Sequence, residues 1–422
     1  MGRRNSQTPA FFHWSAPMNA AVRPVNPVLI TGLTYLMFMM FAMTTDAVGV
    51  IIPEVIRQYG LTMTQAGAFH YATMAGIALA GLGLGFLADQ MGRKWTIILG
   101  LSLFALNSFL FAVGDDFLFF AGLLFVSGLA IGIFKTGALA LIGDISTSTE
   151  SHTRVMNAVE GFFGVGAILG PLIVAQLLIT GASWKWLYVI AGALCTLLIL
   201  TAFLVRYPAR QARSEPGVNV SGLLALMKDP FALSFSGLAM LYVGVETAIY
   251  VWMPTLLAGY KGPAVWLAVY ALSIFFVLRA AGRFVGAWML ARLAWTQVLL
   301  VSSGAILICF VAALFGGKAV AVYVLPLSGL FMSVMYPTIN SKGISCFRKA
   351  QHGAAGGVIL FFTCVSAVVA PLAMGAVSDV FGDARYGFML ATVMALALFA
   401  ALLYNRLRNP AAARLNALNA EY

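Results

Sequence analysis

Runs of about twenty apolar residues recur along almost the whole chain, and each is long enough to cross a hydrocarbon core of ~30 Å as a helix. This constrains the fold more than any motif does. In lipid every backbone N–H and C=O has to be paired inside the protein, so runs of this length fold as helices. The apolar alternation of a transmembrane β-barrel is missing. Only 9% of the 422 residues are charged and 61% are hydrophobic, too little charged surface for a soluble chain. The sequence therefore predicts an all-α membrane protein with twelve transmembrane helices. The spans fall at approximately 28–56, 64–88, 94–114, 117–143, 155–180, 184–205, 230–257, 263–290, 296–316, 319–341, 353–378 and 384–405.

A net charge of +11 would suit a nucleic-acid partner, but the placement of the charges argues against one. With the N-terminus inside, 17 of the 25 Lys and Arg fall in cytoplasmic segments, five fall outside and three lie within spans. That is the positive-inside bias, which predicts both termini in the cytoplasm and the lipid bilayer as the partner, with no nucleic acid. No cleavable signal pattern follows the Arg-rich start, and Met18 is a second candidate start. Cys195, Cys309, Cys346 and Cys364 sit in or near spans without metal or disulfide spacing, so they read as buried thiols and no metal is expected.

The longest polar interruption, "RYPARQARSEPGVNVSG" at 206–222, splits the spans six and six. The expected organisation is a cytoplasmic segment 1–27, a bundle 28–205, a cytoplasmic linker 206–229, a second bundle 230–405 and a tail 406–422. The halves also repeat each other at an offset of 200–201 residues. "SGLAIGIFKTGA" from Ser127 matches "SGLFMSVMYPTI" from Ser328, and "GPLIVAQLL" from Gly170 matches "APLAMGAVS" from Ala370. Pro53 and Tyr59 correspond to Pro254 and Tyr260. Each match pairs span n with span n+6, as parallel repeats about an axis normal to the membrane require.

Between spans 2 and 3 stands "GFLADQMGRKW". Gly85 permits close helix approach, Asp89 sits at a helix end, Gly92 makes the turn, and Arg93 and Lys94 hold the loop in the cytoplasm. The stretch resembles the loop signature of the major facilitator superfamily, G-x-L-A-D-x-x-G-R-K, and with the six-plus-six repeat the resemblance covers nearly the whole chain. It implies two six-helix bundles working by alternating access, and a loop that bridges spans 2 and 11 and latches one gate state through Asp89 and Arg93. No G-x-x-x-x-G-K-[ST] loop is present, so no nucleotide cofactor is expected and the drive is a proton or other ion gradient. Nothing resembles a hydrolytic centre, and no enzyme activity is expected.

An ionised group at mid-bilayer costs ~2.5–3.5 kcal/mol, so intramembrane charges should be paired, hydrated or functional. By the predicted spans they are Asp46, Lys135, Glu160, Glu246, Arg279 and Arg283. Lys135 shares a face with Gly128 and Gly132, and a small-residue face packs against another helix, so the lysine is expected to point inward. Span 5 carries Asn157 and Glu160 on one stripe, making Glu160 its expected partner. That pair either staples two helices or opens to take an anionic group or exchange a proton. Asp46 and Glu246 occupy near-equivalent places before Pro53 and Pro254. Glu246 lies between Tyr242 and Tyr250 at i−4 and i+4, an arrangement that suits a sugar or a cation. Tyr336, the repeat partner of Lys135, is a further cavity candidate. Arg279 lies deep enough to meet a carboxylate ligand, and Arg283 has a gate or structural role.

Four stretches, 157–178, 241–254, 280–288 and 329–339, resemble the fucose permease-like branch of sugar–proton symporters. That resemblance implies an acid in span 1, which Asp46 supplies, and an acid in span 4, where this chain has Lys135. The departure favours a solute with a negative group. "GVGAILGP" at 164–171 partly resembles the antiporter motif of span 5, but Val174 and Ala175 replace its closing glycines and Leu124 stands where drug–proton antiporters carry an arginine. The expected function is secondary transport of a small polar solute, a sugar or organic anion, by proton symport across a bacterial inner membrane, as a monomer. Proton-coupled export of a metabolite, siderophore or drug is the alternative.

Overall fold

The computed structural model describes residues 26–84, 87–146, 149–208, 226–348 and 351–420. Every regular element among them is helical. The first half comprises α1 (Pro27–Thr45), α2 (Val48–Tyr59), α3 (Met63–Ala66), α4 (Ala68–Gly83), α5 (Leu87–Gln90), α6 (Arg93–Leu110), α7 (Phe117–Ile145), α8 (Thr149–Ile179) and α9 (Trp186–Leu204). The second comprises α10 (Pro230–Thr247), a π-helical turn (Ala248–Trp252), α11 (Met253–Leu257), α12 (Val265–Val269), α13 (Ala271–Arg292), α14 (Trp295–Met332), α15 (Met335–Ser345), α16 (His352–Phe381) and α17 (Ala384–Arg408). A tail helix, α18 (Ala412–Ala420), follows.

Each expected span overlaps a helix. Among the described residues nine helical stretches are long and apolar enough to cross a membrane, and one of them, Trp295–Ser345, joins two expected spans. Gly317, at φ +61, breaks that stretch between them. Most of the linker expected at 206–229 and nearly all of the segment expected at 1–27 lie outside the described residues, as does Gly85.

The repeat seen in the sequence is also a repeat of local causes. α1 and α10 each begin with an acceptor side chain followed by proline: Asn26 accepts from Leu29 N, and Asp229 accepts from Phe231 N and Ala232 N. Both chains then lose regular helix at the acid. Pro53 and Pro254 lack an N–H and crowd the carbonyl four residues back, which opens the turn before them. In the first half α1 ends at Thr45, Asp46 is its C-cap, and α2 restarts at Val48. In the second half the opened turn is the π-helix at Ala248–Trp252, which begins two residues after Glu246.

Glycines set the close helix contacts. A Cβ on Gly128 would strike the Thr73 carbonyl of α4, and one on its repeat partner Gly329 would strike the Phe275 carbonyl of α13. Gly166 and Gly170 of α8 likewise lie against the Met39 and Met43 carbonyls of α1. Such small-residue faces let backbones approach and pack where no hydrophobic drive exists between helices.

Polar contacts identify the two ends of the molecule. At the end carrying both described termini, Arg93 pairs with Asp144 at 2.9 Å and Arg414 of the tail helix pairs with Asp229 at 3.0 Å. At the far end, Lys185 pairs with Asp115 at 2.6 Å and Lys318 donates to the Ala258 carbonyl. The halves are sealed together at the far end. The Asp379 carboxylate of α16 accepts from Met63 N at 2.7 Å and Thr64 N at 2.8 Å, capping α3 from the opposite half. His70 Nε2 lies 3.0 Å from the Ala367 carbonyl, and Tyr71 donates to the Pro371 carbonyl at 3.1 Å. Ser273 donates to the Ile168 carbonyl, and Gly49 backs directly onto the Tyr250 carbonyl, where any side chain would collide. Toward the termini end the ion pair between halves among the described residues is Arg283–Glu160, at 3.8 Å with both side chains largely exposed. Among the described residues, the hydrogen bonds between the halves gather at the far end.

Candidate functional site

The six intramembrane charges lie at the end of α1 and on α7, α8, α10 and α13, facing one another across the two halves. Glu246 is buried, and Arg279, one α13 face away, holds it at 2.7 Å. Tyr242, one turn back on α10, donates to the same carboxylate oxygen at 2.8 Å and lies 2.9 Å from the Met332 carbonyl. The expected Tyr–Glu–Tyr stripe therefore forms, but its electrostatic partner is Arg279. The arginine thought able to meet a carboxylate ligand already meets a carboxylate of the protein. Tyr250, in the π-turn, packs edge-on against His70 of the other half with ring centroids 5.5 Å apart.

Asp46 sits half-buried at the α1–α2 break. Its one hydrogen bond is from its neighbour Thr45, at 3.2 Å, and it lies within electrostatic reach of Arg279, Lys135 and Glu246. Lys135 is also half-buried, with its ammonium 5.7 Å from the centre of the Phe163 ring. It lies within reach of Glu160, Asp46 and, in the other half, Cys364 of α16. Tyr336 stands near by, beside Thr363 and Cys364. Asn157 lies one turn from Glu160 on α8 and is exposed.

The expected Lys135–Glu160 ion pair is not formed. Phe163, one turn further along α8 than Glu160, occupies the place beside the ammonium, and Glu160 turns to Arg283 of the other half. Gly128 and Gly132 pack against α4, whereas the Lys135 ammonium faces Phe163 of α8.

The loop at 85–94 is described in part. Gly92 has φ +82, the left-handed region that glycine reaches without strain. Arg93 is buried and paired with Asp144 of α7, in the same half. Lys94 donates to the Phe203 and Val205 carbonyls at the end of α9. The side chain of Asp89, like Gly85, lies outside the described positions. The shallow basic pocket lined by Gly92, Arg93, Lys94, Trp95, Arg206 and Tyr207 is at this end, away from the central charges.

The bridging carboxylate of Asp379 belongs to a residue that the sequence analysis does not single out. A signal existed: Gly375, Asp379 and Gly382 repeat the G-x-x-x-D-x-x-G spacing of Gly85, Asp89 and Gly92, at the opposite end of the molecule. Gly382 has φ +74, matching Gly92.

Residues 34–371 match the family profile described as Major Facilitator Superfamily. The chain belongs to that superfamily. It is a secondary transporter of the major facilitator fold, held in the membrane by its apolar helices, and not an enzyme. The L-fucose-proton symporter of Escherichia coli (strain K12) is 25% identical over 389 residues, covering 82% of this chain and 86% of the symporter. A glucose/galactose transporter of Brucella abortus biovar 1 (strain 9-941) is 22% identical over 375 residues, covering 84% and 88%. The solved structure of the major facilitator transporter FucP in the outward conformation aligns with a TM-score of 0.62 at 23% identity, covering 90% of this chain and 99% of that one. The shared fold of this superfamily member is thus placed beside sugar transporters.

Proposed function

We propose that this transporter moves a small hydroxylated solute together with a proton, into the cell, by alternating access around the central charges. The observation that carries the reading is the pairing pattern at the site. Glu246 pairs with Arg279 and Glu160 faces Arg283, while Asp46 and Lys135, both of the first half, stand without an ion-pair partner within bonding distance among the described residues. A lone carboxylate in a membrane interior is expensive when ionised and cheap when protonated, so it suits a proton carrier. The names of the relatives, a fucose–proton symporter and a glucose/galactose transporter, support the same class of solute and the same drive.

The positive-inside bias puts the termini end in the cytoplasm of a bacterial inner membrane. The far end, where the halves are hydrogen-bonded together, then faces outward. The two six-helix units, 28–205 and 230–405, move as the rocking bodies, with 206–229 as linker. The transporter works as a monomer. Uptake of a labelled panel (L-fucose, D-glucose, D-galactose and D-galacturonate) into proteoliposomes with an imposed pH gradient tests this. Accumulation that collapses with a protonophore is expected; equilibration of a solute without any effect of the gradient would overturn it.

A further inference from the structure

Among the described residues of the site, the charges balance in pairs except for one carboxylate and one ammonium. Lys135 carries three N–H donors, and none has a hydrogen-bond acceptor among the described side chains or carbonyls. It stands half-buried, facing Phe163 of α8. A lysine that served only to staple helices would be paired, and the one carboxylate on the neighbouring helix turns away to Arg283. The Phe163 ring beside the ammonium supplies a cation–π contact and an apolar face, but no acceptor for the N–H groups.

We propose that the substrate is a hydroxylated monocarboxylate of the sugar-acid class, with its carboxylate docked on Lys135 and the coupled proton on Asp46. The proposal rests on the cavity being the transport site. A neutral sugar hydroxyl accepts hydrogen bonds, but it leaves the ammonium's charge uncompensated in a low-dielectric site, and a carboxylate does not. One unpaired deep cation argues for one negative group on the ligand, because Arg279 is held by Glu246 at 2.7 Å and the more exposed Arg283 faces Glu160 at 3.8 Å. Asp46 gives the coupling its logic. Ionised, it repels an incoming carboxylate; protonated, it does not. The charged and titratable groups facing Asp46 are Lys135 from α7, Glu246 from α10, Tyr250 from the π-turn and Arg279 from α13. Glu160 from α8 and Cys364 from α16 face Lys135. Substrate anion and proton therefore enter together as a neutral pair, and the hydroxyls and ring face of the solute meet Tyr250, Tyr336 and Phe163.

The test is calorimetric binding to the purified transporter of two matched pairs: D-galacturonate against D-galactose, and D-gluconate against D-glucitol. At least one acid should bind the unmodified protein about tenfold or more tighter than its neutral mate. Lys135→Gln should weaken that acid by at least about tenfold while moving the neutral mate by less than about twofold, and Lys135→Arg should restore most of the loss. Both variants are checked for an unchanged melting temperature, and Lys135→Arg keeps the test valid if Lys135→Gln folds poorly. Equal binding of acids and neutral mates, or Lys135→Gln leaving the acid unaffected, would overturn the proposal. Parallel proton-flux measurements separate it from the symport reading. Lys135-dependent acid binding without proton flux sinks symport and keeps the anion site. Proton flux with a neutral hexose, and no acid binding, does the reverse.

Discussion

Asp379 is predicted to set the balance between the two gate states. Its carboxylate accepts two backbone N–H bonds from the first turn of α3, at 2.7 and 2.8 Å, and those donors belong to the other half of the molecule. Hydrogen bonds to a charged group contribute ~1.5–3 kcal/mol each. Asp379→Asn keeps one acceptor oxygen, turns an amide N–H₂ toward a backbone N–H, and removes the charge. The expected loss is ~2–3 kcal/mol of far-end closure, a shift of about 30- to 150-fold in the closed-to-open ratio. Spin labels at Gln58 and Lys261, both exposed at the far end on opposite halves, read this directly in a background lacking the native cysteines. Pulsed dipolar spectroscopy of the unmodified protein should give one short distance, and Asp379→Asn should add or replace it with a longer one. Asp383→Asn is the control. That carboxylate caps its own helix through Arg385 N, within one half, so its loss should leave the distances alone. An Asp379→Asn distribution that superposes on the parent would refute the assignment of this carboxylate as a gate contact.

Gly49→Val places a side chain against the Tyr250 carbonyl between the halves, so it should hold the far end open without unfolding either half; the same label pair checks it, and a short distance would contradict it. Glu246→Gln leaves Arg279 without its partner, at a cost of ~3 kcal/mol for a broken buried pair. A clear drop in melting temperature should result, and the double variant Glu246→Gln/Arg279→Gln should recover much of it. Arg283→Gln removes a long, exposed contact with Glu160 and should leave the melting temperature nearly unchanged, while a large loss would show that the pair holds the halves together.

The span positions, the six-plus-six repeat and the glycine faces were legible because each follows from local sequence. Hydropathy marks a span, and a small residue every fourth position marks a contact. The intramembrane charges were legible as a set, since an ionisable group inside an apolar run stands out. Their pairing was not. Glu246 and Arg279 lie 33 positions apart on separate spans, and their meeting depends on how α10 and α13 rotate about their axes, which composition does not encode. The partner expected for Lys135 is the intramembrane carboxylate of the next span. A shift of one helical turn on α8, from Glu160 to Phe163, decides against it. Asp379 does not stand out in the sequence because a span-end aspartate usually caps its own helix, whereas this one caps a helix of the other half. The π-turn after Glu246 was foreshadowed by Pro254, although a proline signals a lost hydrogen bond and not the way the backbone absorbs it.

The central claim is that Asp46 carries the coupled proton while the rest of the site binds solute. Proteoliposomes containing Asp46→Asn separate the two roles, using whichever panel solute the unmodified protein accumulates. Counterflow exchange of labelled against unlabelled solute needs binding and rocking only, and pH-driven accumulation needs the proton as well. The account predicts that Asp46→Asn retains counterflow and loses accumulation. Accumulation at the unmodified level, still driven by the pH gradient, would contradict it.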